Sequence, residues 1–294
     1  MDNPLQKWIL NVLRNLLGVR TTTPSWSILR ECGIEPFQFN WFRATMRFYN
    51  SLTQCNSLLL KRVFLADICL STRNDSCWMS HLLSGLNGLT HADLMRRQIM
   101  AGGPVNLSQF VVDLRSKHLS YWHQFTAPDP RANNSKRLTY HQWCALPVRD
   151  AHAIHPPYTM PKYMFLNLPH HVLRNTARLR LRVHTLRIEQ ATWSNRNSPV
   201  CDVCDSGDIQ DEKHVLFRCS HSQVCSLRQQ YASLFEHNFS FLHYHIPHRM
   251  PCQGTIHHVN SQDITNFLNQ DNNRLPFFLH DLMCIYKQAG SRTS

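Results

Sequence analysis

Cys201-Asp-Val-Cys204-Asp-Ser-Gly-Asp-Ile-Gln-Asp-Glu-Lys-His214-Val-Leu-Phe-Arg-Cys219 is the stretch from which the architecture reads outward. Its skeleton is Cys201-x2-Cys204-x9-His214-x4-Cys219. Two thiolates two residues apart can grip one ion from a tight turn, and the His-x4-Cys pair returns two more donors from a turn or a helix start. Three sulfurs and one imidazole suit tetrahedral zinc. Four protein ligands leave no position for water, so the spacing implies one structural Zn2+ in a small CCHC knuckle. His221 and Cys225 are near enough to replace Cys219 as the fourth donor. The competing reading is a set of free buried cysteines that fall at this spacing by coincidence. Ile209, Val215, Leu216 and Phe217 are expected to pack beneath the ion. Asp202, Asp205, Asp208, Asp211 and Glu212 make the knuckle acidic, so its own surface is unlike one that grips phosphates.

Upstream, residues 169–190 read as one amphipathic helix. Val172, Thr176, Leu179, Val183 and Leu186 recur at steps of four and three and form a core-facing stripe. Arg174, Arg178 and Arg182 step by four on an adjacent face, joined by Arg180 and Arg187, with only Glu189 opposing them. Such a row can follow a phosphate backbone and release its counterions. It can equally be a solvated face, or one paired with distant acids.

The charge balance bears on that choice. The formal net charge is +12, and residues 1–200 carry +14 of it against −2 for residues 201–294. A basic body suggests a polyanionic partner, RNA or DNA. Hydrophobic residues far outnumber charged ones, so most of the chain should fold. The eleven cysteines follow no secreted-scaffold spacing. No apolar run approaches the ~20 residues a bilayer span needs. A nuclear or cytoplasmic protein, off the membrane, is the expectation.

Helical punctuation dominates elsewhere. Pro4 suits a first turn, after which Leu5, Trp8, Ile9, Val12, Leu13 and Leu16 line one face before Gly18 stops the helix. Pro24 and Gly33 bracket a second helix, and 39–52, 57–70, 92–101 and 107–125 read as four more, with Thr90 as the cap before Ala92. The segments 222–235 and 275–289 also read as helices. Strand-type alternation is scarce. The expected fold is all-α, as helical subdomains with an embedded knuckle. Its expected parts are a helical domain 1–125, an irregular Pro- and Asn-rich connection 126–168, a basic helix with the knuckle 169–235, and a helical tail 236–294. Arg131, Lys136 and Arg137 add a weaker basic patch in the connection. Exposed aromatics could stack on bases, but Trp41 and its like fall at helical spacing and are expected in the core.

No catalytic constellation is visible. The chain has no glycine-rich phosphate loop and no His-Glu-x-x-His. Pro128-Asp129 has no acidic-x-Lys partner outside the knuckle, where Asp211-Glu-Lys213 lies. A non-enzyme is expected.

Leu179-Arg-Leu-Arg-Val-His-Thr-Leu-Arg-Ile-Glu-Gln-Ala-Thr-Trp193, followed by the two Cys pairs and Asp211-Glu-Lys-His214, resembles the C-terminal knuckle region of LINE-type (non-LTR) retrotransposon reverse transcriptases. Leu16-Leu-Gly-Val-Arg20, Gly33-Ile-Glu-Pro36 and Arg47-Phe-Tyr-Asn50 are similar to the helical segment after the polymerase thumb in that family. The family's palm needs an aromatic-x-Asp-Asp motif, and this chain contains no Asp-Asp pair. The resemblance therefore implies a post-polymerase piece that helps hold template RNA or target DNA, with a full-length reverse transcriptase as a further partner. The alternative is an interaction or scaffold protein, or a decayed transposon relic, whose zinc is purely structural.

Overall fold

The structure, a computed structural model, describes residues 4–126, 140, 142–144, 160–191, 198–236 and 259–291. The polar loop with Arg131, Lys136 and Arg137, most of the proline-rich 146–161 stretch, Trp193, and the connection 237–258 lie outside the described residues.

The fold is all-α. Its helices are α1 (Pro4–Leu17), α2 (Ser25–Glu31), α3 (Phe37–Thr53), α4 (Leu58–Ser71), α5 (Trp78–Gly85), α6 (Ala92–Met100), α7 (Leu107–Thr126), α8 (His170–Arg180), α9 (Arg187–Ala191), α10 (Ser222–Gln230), α11 (Ser233–Glu236), α12 (Ser261–Leu268) and α13 (Leu275–Ser291). Among the described residues the only β pairing is one isolated antiparallel bridge, Val200 to Ile209. No described helix is long and apolar enough to cross a membrane.

Two compact units emerge. The first contains described residues 4–7 and 34–126, and the second contains 8–33 and everything described from 140 onward. The expectation from the sequence is a contiguous helical domain 1–125. Residues 8–33 belong with the C-terminal half because Glu31 is wholly buried there against Arg180.

In the first unit, α3 and α4 pair, α4 meets α5, and α3 meets α7. Phe42, Met46, Tyr49, Phe64, Ile68, Met79, Leu82, Met95, Ile99 and Phe110 form its core. Ser57 caps α4 by accepting from the Leu60 N–H, which explains where that helix starts. The residue before α6 is His91 rather than the expected Thr90, and it offers no side-chain cap; the Asp113 carboxylate accepts the His91 N–H at 2.7 Å instead. Helix α5 packs so closely that a Cβ on Gly85 would lie 2.5 Å from Phe42 Cζ. The Phe42 ring is itself held edge-on against Phe110, with centroids 5.0 Å apart. Alanine is the better helix former by ~1 kcal/mol, yet overpacking costs about 1–3 kcal/mol. Gly85→Ala is therefore expected to lower the urea midpoint; an unchanged or higher midpoint would show that Phe42 can yield.

Helix α1 does not bury the face its apolar pattern suggests. Gln6, Leu10 and Leu17 are buried, while Leu5, Trp8, Val12 and Leu16 remain between 42% and 63% exposed. In the second unit, α8 packs on α13, and α10 on the same helix. Phe217, Phe235, Phe267, Phe278 and Tyr231 interlock there, with neighbouring centroids 4.9–5.6 Å apart for Phe235–Phe267, Phe217–Phe267, Phe235–Phe278 and Tyr231–Phe278.

Candidate metal centre

The helix expected over 169–190 is two helices, and the break between them positions the site. The Val183 N–H reaches back to Arg178 O and the Arg182 N–H to Leu179 O, at 2.8 and 3.1 Å. This is the paired-bond helix stop that normally uses glycine in the left-handed region. Here Arg182 occupies that position, with φ 54°. Its guanidinium lies 2.9 Å from Glu212 and 3.2 Å from Glu189, both buried carboxylates. The turn also delivers His184, which is 2.9 Å from Glu212. Burial alone would raise the Glu212 carboxyl; His184 and Arg182 outweigh it and hold the group at about 2.

Residues 199–210 form the knuckle. The Gln210 N–H donates to Pro199 O and the Cys201 N–H to Asp208 O, both at 2.8 Å. Gly207 takes the positive-φ position at the tip. Gln210 binds the structure together: its carbonyl accepts the Arg187 N–H at 2.9 Å, and its amide reaches Cys201 Sγ at 3.5 Å and Asp202 at 2.8 Å.

His214–Arg218 is a π-turn, closed by the Cys219 N–H on His214 O at 2.8 Å. In an α-helix, residues five apart point about 140° away from each other. The wider turn brings His214 and Cys219 to one side, which is the physical meaning of the x4 spacing. Three of its carbonyls, Val215, Leu216 and Cys219, accept from one buried side chain, Arg228 of α10, at 3.1, 2.9 and 2.8 Å. Arg228 carries no motif signature; an arginine at the end of a short amphipathic helix reads as solvated, so sequence reasoning missed it.

Together these elements bring Cys201, Cys204, His214 and Cys219 into one cluster whose donor atoms all lie within 4.8 Å of one another. His214 Nε2 stands 3.3 Å from Cys204 Sγ, and all four residues are at most 8% exposed. Zinc–sulfur bonds of about 2.3 Å and zinc–nitrogen bonds of about 2.0–2.1 Å at a tetrahedral angle would separate such atoms by about 3.6 Å, so little movement is needed. The neighbouring Cys219 thiol and His214 lower the Cys201 pKa, while Cys219 is pushed up beside Cys201. His214 Nδ1 is buried without a well-aligned hydrogen bond, 3.4 Å from Asp208. A carboxylate there orients an imidazole that ligates through its other nitrogen. The donor chemistry therefore fits a metal ion, and the site is closed to solvent. Cys219 is the fourth member; Cys225 instead points its thiol to Cys219 O at 3.8 Å. Val215, Leu216 and Phe217 lie buried beneath the cluster as expected, whereas Ile209 is 49% exposed.

No family model, curated protein or solved structure matches this chain. What can be said of the site rests on its own geometry.

The five arginines do not present one solvent face. Arg180 is fully buried on Glu31. Arg182 and Arg187 are latched to the knuckle, Arg182 on Glu212 and Arg187 Nε on Asp202 Oδ2 at 2.9 Å. Arg178 Nε donates to Gly18 O at 2.7 Å and Arg174 to Asn15 O at 2.8 Å, closing the C-terminal carbonyls of α1. Two of the five arginines, Arg182 and Arg187, thus answer two acids of the knuckle segment, Glu212 and Asp202. Arg182→Gly tests the latch. Glycine relieves left-handed strain of about 1–3 kcal/mol, but removing one partner from buried carboxylates costs about 3–5 kcal/mol. Net destabilisation in urea is expected; a neutral variant would show that the ion pairs only offset the strain, and a more stable one that they contribute less than it.

Proposed function

We propose that this chain is a zinc-stapled, non-catalytic helical module that engages RNA or DNA through its first unit. The zinc assignment is supported by the closed Cys3His donor set, which suits a borderline-soft tetrahedral ion and leaves no place for a reacting water. The nucleic-acid reading is carried by one observation. Arg47, Lys61, Arg62, Arg73 and Arg97 are exposed, with no ion pair to any described acid. On α3, Trp41 and Phe48 are 58% and 56% exposed and share the side of the helix next to Arg47. Exposed aromatics beside arginines are the usual platform for stacking single-stranded bases. The resemblance to the post-polymerase region of LINE-type reverse transcriptases supports the same reading, with a full-length reverse transcriptase as a further partner.

Salt-titrated binding to single- and double-stranded RNA and DNA tests the proposal. Arg47→Glu combined with Arg62→Glu should weaken binding to all sequences and flatten the log–log salt slope by about one per lost phosphate contact. Trp41→Ala should cost about 1–3 kcal/mol on single strands only. Negligible affinity at physiological salt, or affinity indifferent to these changes, overturns it.

A second reading has its own support. Leu58, Leu59, Val63, Leu65 and Leu70 of α4 are each more than half exposed. So large an apolar surface on one short helix suits a protein partner, which would make the chain an interaction scaffold. Absence of nucleic-acid binding in the same titration favours it.

A further inference from the structure

Where α8 crosses α13, two further metal-competent donors, His280 and Cys284, meet on side chains that the Cys3His cluster does not use, and His171 stands beside them without its donor atoms closing a third corner. The two helices run antiparallel. Thr176 Oγ1 donates to Pro276 O at 3.4 Å, Asn175 meets His280 at 2.8 Å, and a turn earlier on α8 the His171 ring lies 4.8 Å from the His280 ring. That register carries His171 toward Cys284, which sits one turn beyond His280 on the same face of α13. His280 Nε2 and Cys284 Sγ are 3.6 Å apart. That is about the separation two such donors take on one tetrahedral zinc-class ion, from its bond lengths. His171 is exposed, so its ring can turn to supply a third donor.

A thiol–imidazole hydrogen bond between residues four apart would by itself account for the 3.6 Å contact. It does not account for the second imidazole, which lies against the first at the helix crossing with the ring planes tilted by 56°. Burial, followed by the neighbouring His171, lowers the His280 pKa and so keeps the ring in its ligating form. Asn175 contributes to orientation. Its amide contacts His280 Nδ1, and the amide's two ends are interchangeable by a flip. With its oxygen turned inward, it accepts the Nδ1 proton and leaves the Nε2 lone pair directed at Cys284, the arrangement metal-binding histidines use. The flanking acid, Asp281, accepts from Tyr231 at 3.0 Å and raises the Cys284 thiol after burial has done so, while Lys287 lowers it.

We propose that His171, His280 and Cys284 form a second, solvent-facing site for a borderline divalent transition ion such as Zn2+, with Asn175 as the positioning residue. Three protein donors leave one position open to water or to a donor from a partner. In this it differs from the closed Cys3His cluster.

Equilibrium dialysis of the full chain against Zn2+, with elemental analysis of metal per chain, tests the site. The readout is the difference between the wild type and each variant, so it reports on this site whatever the Cys3His cluster holds. His280→Ala and Cys284→Ser should each lose one equivalent. Asn175→Leu should weaken the second equivalent by about 10–100-fold, the usual loss for an orienting partner, and Asn175→Asp should retain it. His171→Gln, a change on an exposed side chain, keeps the test available where the more enclosed variants fold poorly; it too should weaken the second equivalent. With Co2+ as the probe, the thiolate-to-metal absorption of this site should vanish in Cys284→Ser. A wild type that binds no more metal than His280→Ala overturns the proposal. So does a second equivalent that survives both His280→Ala and Cys284→Ser, which would place the ion on other histidines.

Discussion

In Cys201→Ser we expect bound zinc to fall by one per chain and hydrogen-exchange protection to collapse across residues 198–236, while residues 37–114 keep theirs. The reason is an energetic mismatch. Structural zinc in small finger domains contributes about 10–16 kcal/mol, as much as the whole stability of an ordinary domain, about 5–15 kcal/mol. Besides the ion, the knuckle loop is held mainly by the Gln210 bonds and the Arg182 and Arg187 latches. Its backbone contributes one isolated β bridge and its loop is largely exposed. Removing the ion leaves three cysteines and a histidine packed against one another. Chelation of the wild type should give the same exchange pattern. The first unit has its own core and should report no change in either experiment. A chelated chain that retains full protection at 212–231 would mean that the cluster is a set of buried thiols and that no ion is needed.

The second large effect is expected at Arg180. Glu31 and Arg180 are both buried, and each has several further hydrogen-bond partners. Glu31 accepts from Tyr163 at 2.7 Å and from Tyr140 at 2.9 Å, besides the guanidinium. Arg180 also donates to Leu268 O, Cys144 O and the Asn269 side chain, at 2.6, 2.8 and 3.1 Å. One side chain therefore joins α2, α8, the 140–144 segment and the end of α12. Removing one partner of such a pair costs about 3–5 kcal/mol, because the other charge stays buried and uncompensated. Arg180→Met should lower unfolding free energy by that amount. Adding Glu31→Gln should recover part of it, since the stranded charge is then gone. If the double variant is no better than the single one, the loss lies in the carbonyl contacts and not in the charge.

The Cys3His cluster was legible in the sequence because its members are local: all four fall within nineteen residues, and the spacing itself encodes the turn geometry. The long helices were legible for the same reason. Ser57 and Gly33 mark boundaries that a single chain position decides. The arginine face was not legible. Arg180 meets Glu31 across 149 positions and Arg178 meets Gly18 across 160, and a stepped row of cations reads the same whether its acids are absent or distant. Arg182 hid the helix break, because a left-handed stop is recognised by glycine and here an ion pair holds a side chain in that conformation. The outward turn of α1 was hidden too: its apolar stripe is real, but Leu10 and Leu17 face the interior instead. Helices α5 and α12 escaped notice because they are short and sit between polar runs; the Asn260–Asp263 capping box of α12 is a signal that could have revealed the latter.

The π-turn has a consequence for how the chain comes off the ribosome. The last metal ligand is residue 219, yet the carbonyls of that turn find their donor only at Arg228, and the cluster's outermost neighbour, Tyr286, arrives with the final helix. A nascent chain that has extruded Cys219 but not Arg228 would hold all four cluster residues with the turn's polar groups unanswered. Emergence order would therefore separate the moment an ion could be captured from the moment it is locked in. In that interval the cluster would be an exchangeable site, open to whatever competing metals or thiol reagents the cell contains.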